Sequence, residues 1–207
     1  MTLRPAGGMD LARGHPAAFL DRDGTLNEAV TDPESGMLES PLKVEDVRLL
    51  PRVAGAARDL AAAGYALLCV SNQPAAAKGK ATVQQLLAVH ERVVELLALD
   101  GVCLEASSLC LHHPEGVVPG LSRPCDCRKP AAGMLLDAAG ASGLELGGSW
   151  ILGDTDADVS AGQAAGCLTA LIEYSGSAHK RSGEASPDLL ASDLADGVAQ
   201  LLGLRCQ

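Results

Sequence analysis

The feature that most constrains the fold is a regular alternation of short apolar runs with longer segments rich in alanine and leucine. Five apolar runs have the length of buried strands, and they cover residues 17–20, 65–71, 103–112, 149–154 and 167–173. Segments with helical spacing follow them, at residues 53–64, 82–101, 132–143, 158–166 and 192–204. Such alternation predicts an α/β fold in which a central parallel sheet is covered by helices on both faces.

Composition narrows the class of protein further. Hydrophobic residues make up 47% of the 207 residues but aromatic residues only 2%, so the core must consist of alanine, leucine and valine. The net charge of −10 argues against binding to nucleic acid or to anionic membranes, because both need basic surfaces. The apolar runs are shorter than the ~18–20 residues of a membrane span. We therefore expect a cytoplasmic protein.

The chain is predicted to form a single domain over residues 17–207, preceded by a flexible tail over residues 1–16. Helix signals support the boundaries within that domain. Thr82 is a candidate N-cap, Gly64 a candidate C-terminal stop, and either Ser192 or Asp193 could cap the last helix. Residues 175–191 are polar and rich in small side chains, which predicts a mobile surface loop.

Carboxylates follow two of the predicted strands. Asp21 and Asp23 come directly after the run at 17–20, and Asp154 and Asp158 belong to the stretch "GDTDADVSAG". Ligands bind at the carboxyl ends of the strands in parallel sheets, so these acids are expected to converge on one edge. Clustered carboxylates favour Mg2+, which offsets their mutual repulsion. Asp158 could instead serve as a helix N-cap.

A second cluster lies in "CLHHPEGVVPGLSRPCDCRKP", which contains three cysteines and two adjacent histidines. Cys-x-His followed by Cys-x-Cys supplies the four ligands of a closed, structural Zn2+ site. These are Cys110, His112, Cys125 and Cys127, with His113 as the competing imidazole. Disulfide pairing is the alternative, although a cytosolic chain would keep its thiols reduced. The other internal cysteines, Cys69, Cys103 and Cys167, are expected in the core.

Four segments taken together resemble a known family. "FLDRDGTLN", "SNQ", "RKP" and "GDTDADVSAG" are similar in order and spacing to the four motifs of the haloacid dehalogenase superfamily, over residues 17–166. The resemblance implies a Rossmann-like three-layer sandwich and a phosphatase or phosphotransferase that works through an aspartyl-phosphate. Residues 22–70 leave room for a flap hairpin and one helix but for no large cap domain. A capless domain of this size is expected to be a monomer.

The same resemblance implies a role for each motif residue. Asp21 is the expected nucleophile and Asp23 the expected general acid and base. Mg2+ is expected on Asp21, Asp154 and the backbone carbonyl of Asp23, with Asp158 supporting that shell. The residues expected to bind the substrate's phosphoryl group are Ser71, Asn72 and Lys129.

The cysteine loop resembles a narrower group within the superfamily, the zinc-containing D-glycero-D-manno-heptose 1,7-bisphosphate 7-phosphatases and histidinol-phosphate phosphatases. The resemblance favours His112 as the zinc ligand, and the long gap of residues 113–124 favours the heptose enzymes. Arg128 is then expected to contact the distal phosphate or the hydroxyls of a small phosphorylated sugar. Histidinol phosphate stays open as the substrate, and a non-catalytic zinc-stabilised binding domain is the alternative from another class.

Two positions depart from the pattern of these relatives. Pro74 follows "SNQ" where the relatives usually have serine, and it removes a backbone donor. Thr155 stands where the heptose enzymes usually carry lysine, which removes a cation near the expected metal. Lys78 is interpreted as a replacement for the arginine of the relatives' next segment. These departures bear on substrate choice rather than on the reaction.

Overall fold

The computed structural model describes residues 1–3, 14–33 and 36–204. The strands found there are Thr2–Leu3 (β1), Pro16–Leu20 (β2), Val30–Thr31 (β3), Leu38–Glu39 (β4), Ala66–Asn72 (β5), Ala106–Cys110 (β6), Glu145–Gly153 (β7), Leu168–Ile172 (β8) and Leu189–Ala191 (β9). The α-helices are Val53–Ala62 (α1), Val83–Leu99 (α2), Gly133–Ser142 (α3), Asp156–Ala165 (α4) and Leu194–Leu204 (α5). Two short 3-10 helices cover Val44–Asp46 and Ser175–Lys180.

One sheet organises the molecule, with the strand order β1-β6-β5-β2-β7-β8-β9. All of its neighbouring strands are parallel except β1, which pairs antiparallel with β6. Without β1 the order is that of a doubly wound Rossmann sheet, and β2 lies where the order reverses. The predicted α/β class with a central parallel sheet is therefore confirmed. The carboxyl end of β2 is the position where such a fold binds its ligand.

Side chains of β2 show why two helical layers are needed. Ala18 and Leu20 face one apolar cluster, which contains residues of α1, α2 and α5. Ala17 and Phe19 face the opposite cluster, which contains residues of α3 and α4. Because successive strand residues point to opposite faces, a strand that is apolar throughout must be covered on both sides. The result is the predicted three-layer sandwich.

The helix signals in the sequence were informative. Thr82 caps α2 through a capping box with Gln85. The four residues predicted to share the apolar face of that helix are buried, namely Leu86, Val89, Val93 and Leu97. Asp193 accepts a hydrogen bond from the backbone N–H of Asp196 at 2.9 Å, so it is the cap of α5. None of the helices in the described part of the chain is long and apolar enough to cross a membrane.

Several local predictions were wrong. The flexible tail predicted over residues 1–16 is ordered at both of its ends. Thr2–Leu3 pairs with β6, and Pro16 begins β2. Residues 4–13 lie outside the described ranges. The segment 175–191 is not a plain loop, because it contains a 3-10 helix and the edge strand β9. Cys103 is exposed rather than in the core, whereas Cys69 and Cys167 are buried.

The connection between β2 and β5 has the size expected of a capless enzyme. It contains the two-stranded β3–β4 hairpin, here called the flap, followed by α1. The contacts that tie the flap and its base to the body of the protein include one hydrogen bond and two ion pairs. The backbone N–H of Ala29 donates to the Tyr174 hydroxyl at 3.2 Å, and ion pairs join Lys80 to Asp32 at 2.7 Å and Lys180 to Glu39 at 3.4 Å.

Candidate active site

The ends of three neighbouring strands bring the first group of predicted residues together. Asp21 follows β2, and its backbone N–H donates to the Leu152 carbonyl of β7 at 2.9 Å. Ser71 lies at the end of β5, on one side of β2, and Asp154 follows β7 on the other side. Both neighbours are thus placed by the parallel pairing, which aligns carboxyl ends at one edge of the sheet.

Three carboxylates form a compact group at this edge. Oxygen atoms of Asp21, Asp154 and Asp158 lie within 4.8 Å of one another, and all three residues are buried. Asp158 is the third residue of α4 rather than its N-cap. Thr155 is the cap, and it donates to Asp158 through its backbone N–H at 3.1 Å and its hydroxyl at 2.6 Å.

Lys129 is the cation that faces this group. Its ammonium donates to Asp21 at 2.8 Å, to Asp158 at 2.5 Å and to the Val70 carbonyl at 2.8 Å. These contacts use all three of its N–H donors. Burial disfavours the charged form of Lys129, but the two carboxylates outweigh burial and raise its pKa. The lysine is therefore a fixed positive charge beside Asp21.

One cation does not balance three buried carboxylates. Burial, followed by the charges of Asp21 and Asp158, raises the pKa of Asp154 to about 8. Burial also raises the pKa of Asp21, against the opposing effect of Lys129. Asp154 Oδ1 is buried and has no hydrogen-bond partner in the described part of the chain. An orphaned carboxylate oxygen beside other carboxylates fits a hard divalent cation such as Mg2+.

Gly24 is needed for the close approach of the β2 loop to this group. Its φ of +88° lies in the left-handed region, which favours glycine. A Cβ atom at this position would collide with the carboxylate of Asp154 and with the ring of Tyr174. The glycine of "DRDGT" therefore lets the backbone pass directly against the candidate metal site.

The side chain of Asp23 is not part of the carboxylate group. It is bound by the guanidinium of the fully buried Arg22, with a shortest contact of 2.9 Å, and by Asn27 Nδ2 at 2.9 Å. Burial alone would raise the pKa of Asp23. The charge of Arg22 and the hydrogen bonds from neighbouring side chains outweigh it, so the pKa is lowered. The sequence predicted that the backbone carbonyl of Asp23, and not its carboxylate, binds the metal. The Asp23 carboxylate binds Arg22 and Asn27 instead of joining the other three carboxylates.

Asn72 differs from expectation in its contacts. Its Nδ2 donates to the Lys129 carbonyl at 2.9 Å, and its Oδ1 accepts from the Lys129 backbone N–H at 3.1 Å. The Asn72 side-chain amide thus stabilises the loop that carries Lys129, because both of its polar atoms bond the backbone of that residue. Ser71 accepts a hydrogen bond from Gln73 Nε2 at 3.0 Å, which leaves its own hydroxyl hydrogen for another acceptor.

The second predicted cluster is also assembled. Sγ atoms of Cys110, Cys125 and Cys127 lie 3.3–3.6 Å apart, and His112 Nδ1 lies 3.4 Å from Cys127 Sγ and 3.9 Å from Cys110 Sγ. A tetrahedron of ligands around Zn2+, with Zn–S of about 2.3 Å, has edges of about 3.8 Å. The ligand type and spacing therefore fit a closed Zn2+ site.

His113 is directed away from this cluster. Its Nδ1 accepts from the backbone N–H of Glu115 at 3.1 Å. Burial and the charges of Arg128 and Lys78 lower the pKa of His113, which means that these two cations lie near it. Arg128 Nη1 also donates to the His112 carbonyl at 3.4 Å. Two positive charges, those of Arg128 and Lys78, therefore lie near His113, and Arg128 directly precedes Lys129 of the carboxylate group.

The cysteine loop supports a neighbouring loop as well. Backbone N–H groups of Val117 and Val118 donate to the Ala77 carbonyl at 2.7 and 3.1 Å. These bonds connect the cysteine loop to residues 73–80, which include Lys78. The departure from the relatives at Pro74 lies in this supported segment.

Sequence reasoning missed four residues that contact Asp23, including Asn27 described above. Arg22 lies between the two aspartates, Gln73 is the last residue of "SNQ", and Ser40 follows the flap. Arg22 and Gln73 could have been found from the sequence, because they lie inside the motifs "FLDRDGTLN" and "SNQ". Nothing in the local sequence points to Ser40, because only the fold brings the flap to Asp23.

Replacing Lys129 by methionine tests the charge balance of the carboxylate group. The variant leaves Asp21 and Asp158 buried without their cation, so we expect the free energy of unfolding to fall by about 3–5 kcal/mol. Urea denaturation in magnesium-free buffer measures it. The exposed Lys43→Met variant is the matched control. A loss for Lys129→Met below about 1 kcal/mol would contradict the inferred pairing.

Comparison with known proteins places the chain in a family. Residues 126–197 match the family model described as HAD-hydrolase-like. A D-glycero-beta-D-manno-heptose-1,7-bisphosphate 7-phosphatase of Yersinia pestis is 36% identical over 181 residues, covering 87% of this chain and 92% of that protein. The enzyme of the same name from Escherichia coli strain K12 is 34% identical over 186 residues, covering 90% and 93%.

Solved structures agree with these relatives. The D,D-heptose 1,7-bisphosphate phosphatase of B. bronchiseptica, complexed with magnesium and phosphate, has a TM-score of 0.75 and 28% identity, covering 91% of this chain and 99% of that chain. A HAD-like phosphatase structure from Mesorhizobium loti has a TM-score of 0.78 and 32% identity, covering 98% and 93%. The chain belongs to the D-glycero-beta-D-manno-heptose-1,7-bisphosphate 7-phosphatase family of the haloacid dehalogenase superfamily.

Proposed function

We propose that the chain hydrolyses the C7 phosphate of D-glycero-beta-D-manno-heptose 1,7-bisphosphate through an aspartyl-phosphate intermediate. The observation that carries the reaction is the buried Asp21 carboxylate, held by Lys129 beside the unpartnered oxygen of Asp154. The choice of substrate is supported by the relatives, which are 36% and 34% identical over most of the chain and carry that name.

The reaction divides between the two aspartates of "DRD". An oxygen of Asp21 attacks phosphorus, the bond from phosphorus to the C7 oxygen breaks, and that oxygen takes a proton from Asp23. In the complex the negative charge of the bound phosphate ester favours the protonated form of Asp23, which opposes the effect of Arg22 on its pKa. Water then attacks the phosphorus of the acyl phosphate and gives a proton to the Asp23 carboxylate. The bond from phosphorus to Asp21 breaks, which frees inorganic phosphate and restores both carboxyl groups.

Charged and polar neighbours support these steps. Lys129, 2.8 Å from Asp21, stabilises the negative charge that moves onto the transferring phosphoryl group. Ser71 donates its hydroxyl hydrogen to a phosphoryl oxygen, whereas Asn72 acts by fixing the backbone of Lys129. Arg128 and nearby Lys78 bind the distal phosphate, which stays on the product.

Two metal ions complete the proposed enzyme. Asp21, Asp154 and the backbone carbonyl of Asp23 would hold Mg2+, which would supply positive charge near the phosphoryl oxygens. The cysteine loop would hold Zn2+ in a structural role, because four protein ligands would leave no open position on the ion. Those ligands are Cys110, His112, Cys125 and Cys127.

The sugar is proposed to occupy the cavity between the flap and residues 73–80. Its volume is about 270 Å³, and its wall includes Val30 and Pro74 as apolar surface and Lys43 and Lys78 as cations. An open cavity under a short flap suits a single small sugar phosphate. We further propose that the chain acts as a monomer in the cytoplasm and forms one domain, to which Thr2–Leu3 contributes the edge strand β1.

A phosphate-release screen tests the substrate assignment. We expect the 7-phosphate of the heptose bisphosphate to be released with a kcat/KM at least about 100-fold above that for histidinol phosphate or p-nitrophenyl phosphate. Phosphorus NMR of the product should show that the 1-phosphate is retained. A higher kcat/KM for histidinol phosphate would contradict the heptose assignment and make histidinol phosphate the substrate. Absence of turnover on every ester would favour a non-catalytic domain.

A further inference from the structure

Two donors from outside the "DRD" motif hold one oxygen of Asp23. Ser40 Oγ donates to Asp23 Oδ2 at 2.8 Å, and Gln73 Nε2 donates to the same oxygen at 2.6 Å. They come from different parts of the fold, since Ser40 directly follows the flap and Gln73 follows β5. Arg22 binds both oxygens, with its shortest contact of 2.9 Å to Oδ2, and Asn27 Nδ2 donates to Oδ1 at 2.9 Å. The orientation of Asp23 therefore depends on four side chains from three segments, namely the loop after β2, the end of the flap and the end of β5.

Burial and hydrogen bonds from its backbone and side chain hold Gln73 in one position. It is fully buried, and its backbone N–H donates to the Cys110 carbonyl at 2.7 Å. Its Nε2 also donates to Ser71 Oγ at 3.0 Å, so one amide group connects Ser71 with Asp23. A side chain in this position sets the distance between the phosphoryl-binding hydroxyl and the proton-transferring carboxyl group.

Ser40 adds a connection to the flap. Other contacts between the flap and the protein body include partly exposed ion pairs and a hydrogen bond to the Tyr174 hydroxyl. Ser40 and Gln73 are both part of the wall of the 270 Å³ cavity in which we place the sugar. A leaving alcohol in that cavity would lie next to the two residues that orient Asp23.

We infer that Ser40 and Gln73 are positioning residues, which aim the Asp23 carboxyl group at the oxygen of the leaving alcohol. The inference rests on the proposed function, because it takes Asp23 as the general acid. General acids add about 10²–10⁴-fold to a rate, and they do so only when they are within hydrogen-bond reach of the leaving atom. Loss of either donor should therefore weaken catalysis most where the leaving group needs its proton most.

The test compares esters with graded leaving groups in the variants Ser40→Ala, Ser40→Thr and Gln73→Met. p-Nitrophenyl phosphate has a good leaving group and phenyl phosphate a poor one, and the two esters are close in size and lack sugar hydroxyls. The quantity measured is kcat/KM, which reports the steps up to departure of the alcohol or phenol. Asp23→Asn, measured on the same esters, gives the response to full loss of the acid.

We expect Ser40→Ala and Gln73→Met to lower kcat/KM for phenyl phosphate by about 10-fold or more, and for p-nitrophenyl phosphate by about threefold or less. Ser40→Thr keeps the hydroxyl and should recover most of the loss. Equal losses on both aryl esters would overturn the inference and indicate a structural role. Losses confined to the heptose bisphosphate would also overturn it, since they would indicate a direct contact with the sugar.

The aryl esters also separate this inference from the proposed substrate. Failure of the wild-type protein to use the heptose bisphosphate, with aryl phosphatase activity intact, contradicts only the substrate. A wild-type enzyme that uses the heptose bisphosphate, with variants that lose activity equally on all esters, contradicts only the positioning role of Ser40 and Gln73.

Discussion

Replacing Asp21 by asparagine should lower kcat/KM for the heptose bisphosphate by about 10⁴-fold or more, because the amide cannot attack phosphorus. The substitution conserves size and leaves the backbone bond to the Leu152 carbonyl intact. Three buried carboxylates face one lysine, and Asp158 still pairs with Lys129 in the variant, so the fold should lose little stability. Steady-state phosphate release and thermal unfolding, measured on the same preparation, check both statements.

The matched control for this prediction is Asp59→Asn. Asp59 is exposed on α1, away from the carboxyl ends of the strands, and its replacement should leave kcat/KM within about twofold of the wild-type value. If Asp21→Asn kept more than about a tenth of the wild-type activity, covalent catalysis at that residue would be excluded.

The second large effect is expected from the cysteine loop. Cys127→Ser should abolish stoichiometric zinc binding, because one of four ligands in a closed site is lost. The melting temperature should fall by about 5 °C or more. Since Arg128 and Lys129 directly follow Cys127, their displacement should also lower kcat/KM by about 100-fold. Metal analysis, thermal unfolding and kinetics on one preparation measure the three effects.

Cys103→Ser is the control for this variant. Cys103 is an exposed free thiol, so its replacement should retain zinc, stability and activity. Purified wild-type protein without zinc would contradict the site itself. Retention of full activity by zinc-free Cys127→Ser would contradict the link from the cysteine loop to Lys129.

Much of the fold was predictable because its signals are local. The apolar run before Asp21 had to be a strand covered on both faces, and the capping box at Thr82 fixed the start of α2. The doubly wound strand order could also be predicted, because parallel strands with helical connections favour such a sheet. The acids at the strand ends then converge by geometry alone.

The remainder depended on contacts that a local pattern does not contain. Thr2–Leu3 becomes a strand only because the edge of β6 is available for pairing, and β9 forms in a polar segment because β8 offers it an edge. Likewise, Asn72 has the residue type of a ligand-binding side chain, yet the approach of the Lys129 backbone uses both of its polar atoms. Long-range partners decided each of these cases.

The measurement that tests the central claim most directly is rapid acid quench of the enzyme mixed with heptose bisphosphate carrying radioactive phosphate at C7. We predict that label appears on the protein within the first turnover, that peptide mapping locates it at Asp21, and that it decays as inorganic phosphate is formed. Absence of protein-bound label during rapid single turnover, or its location on any residue other than Asp21, would contradict an aspartyl-phosphate mechanism at the end of β2.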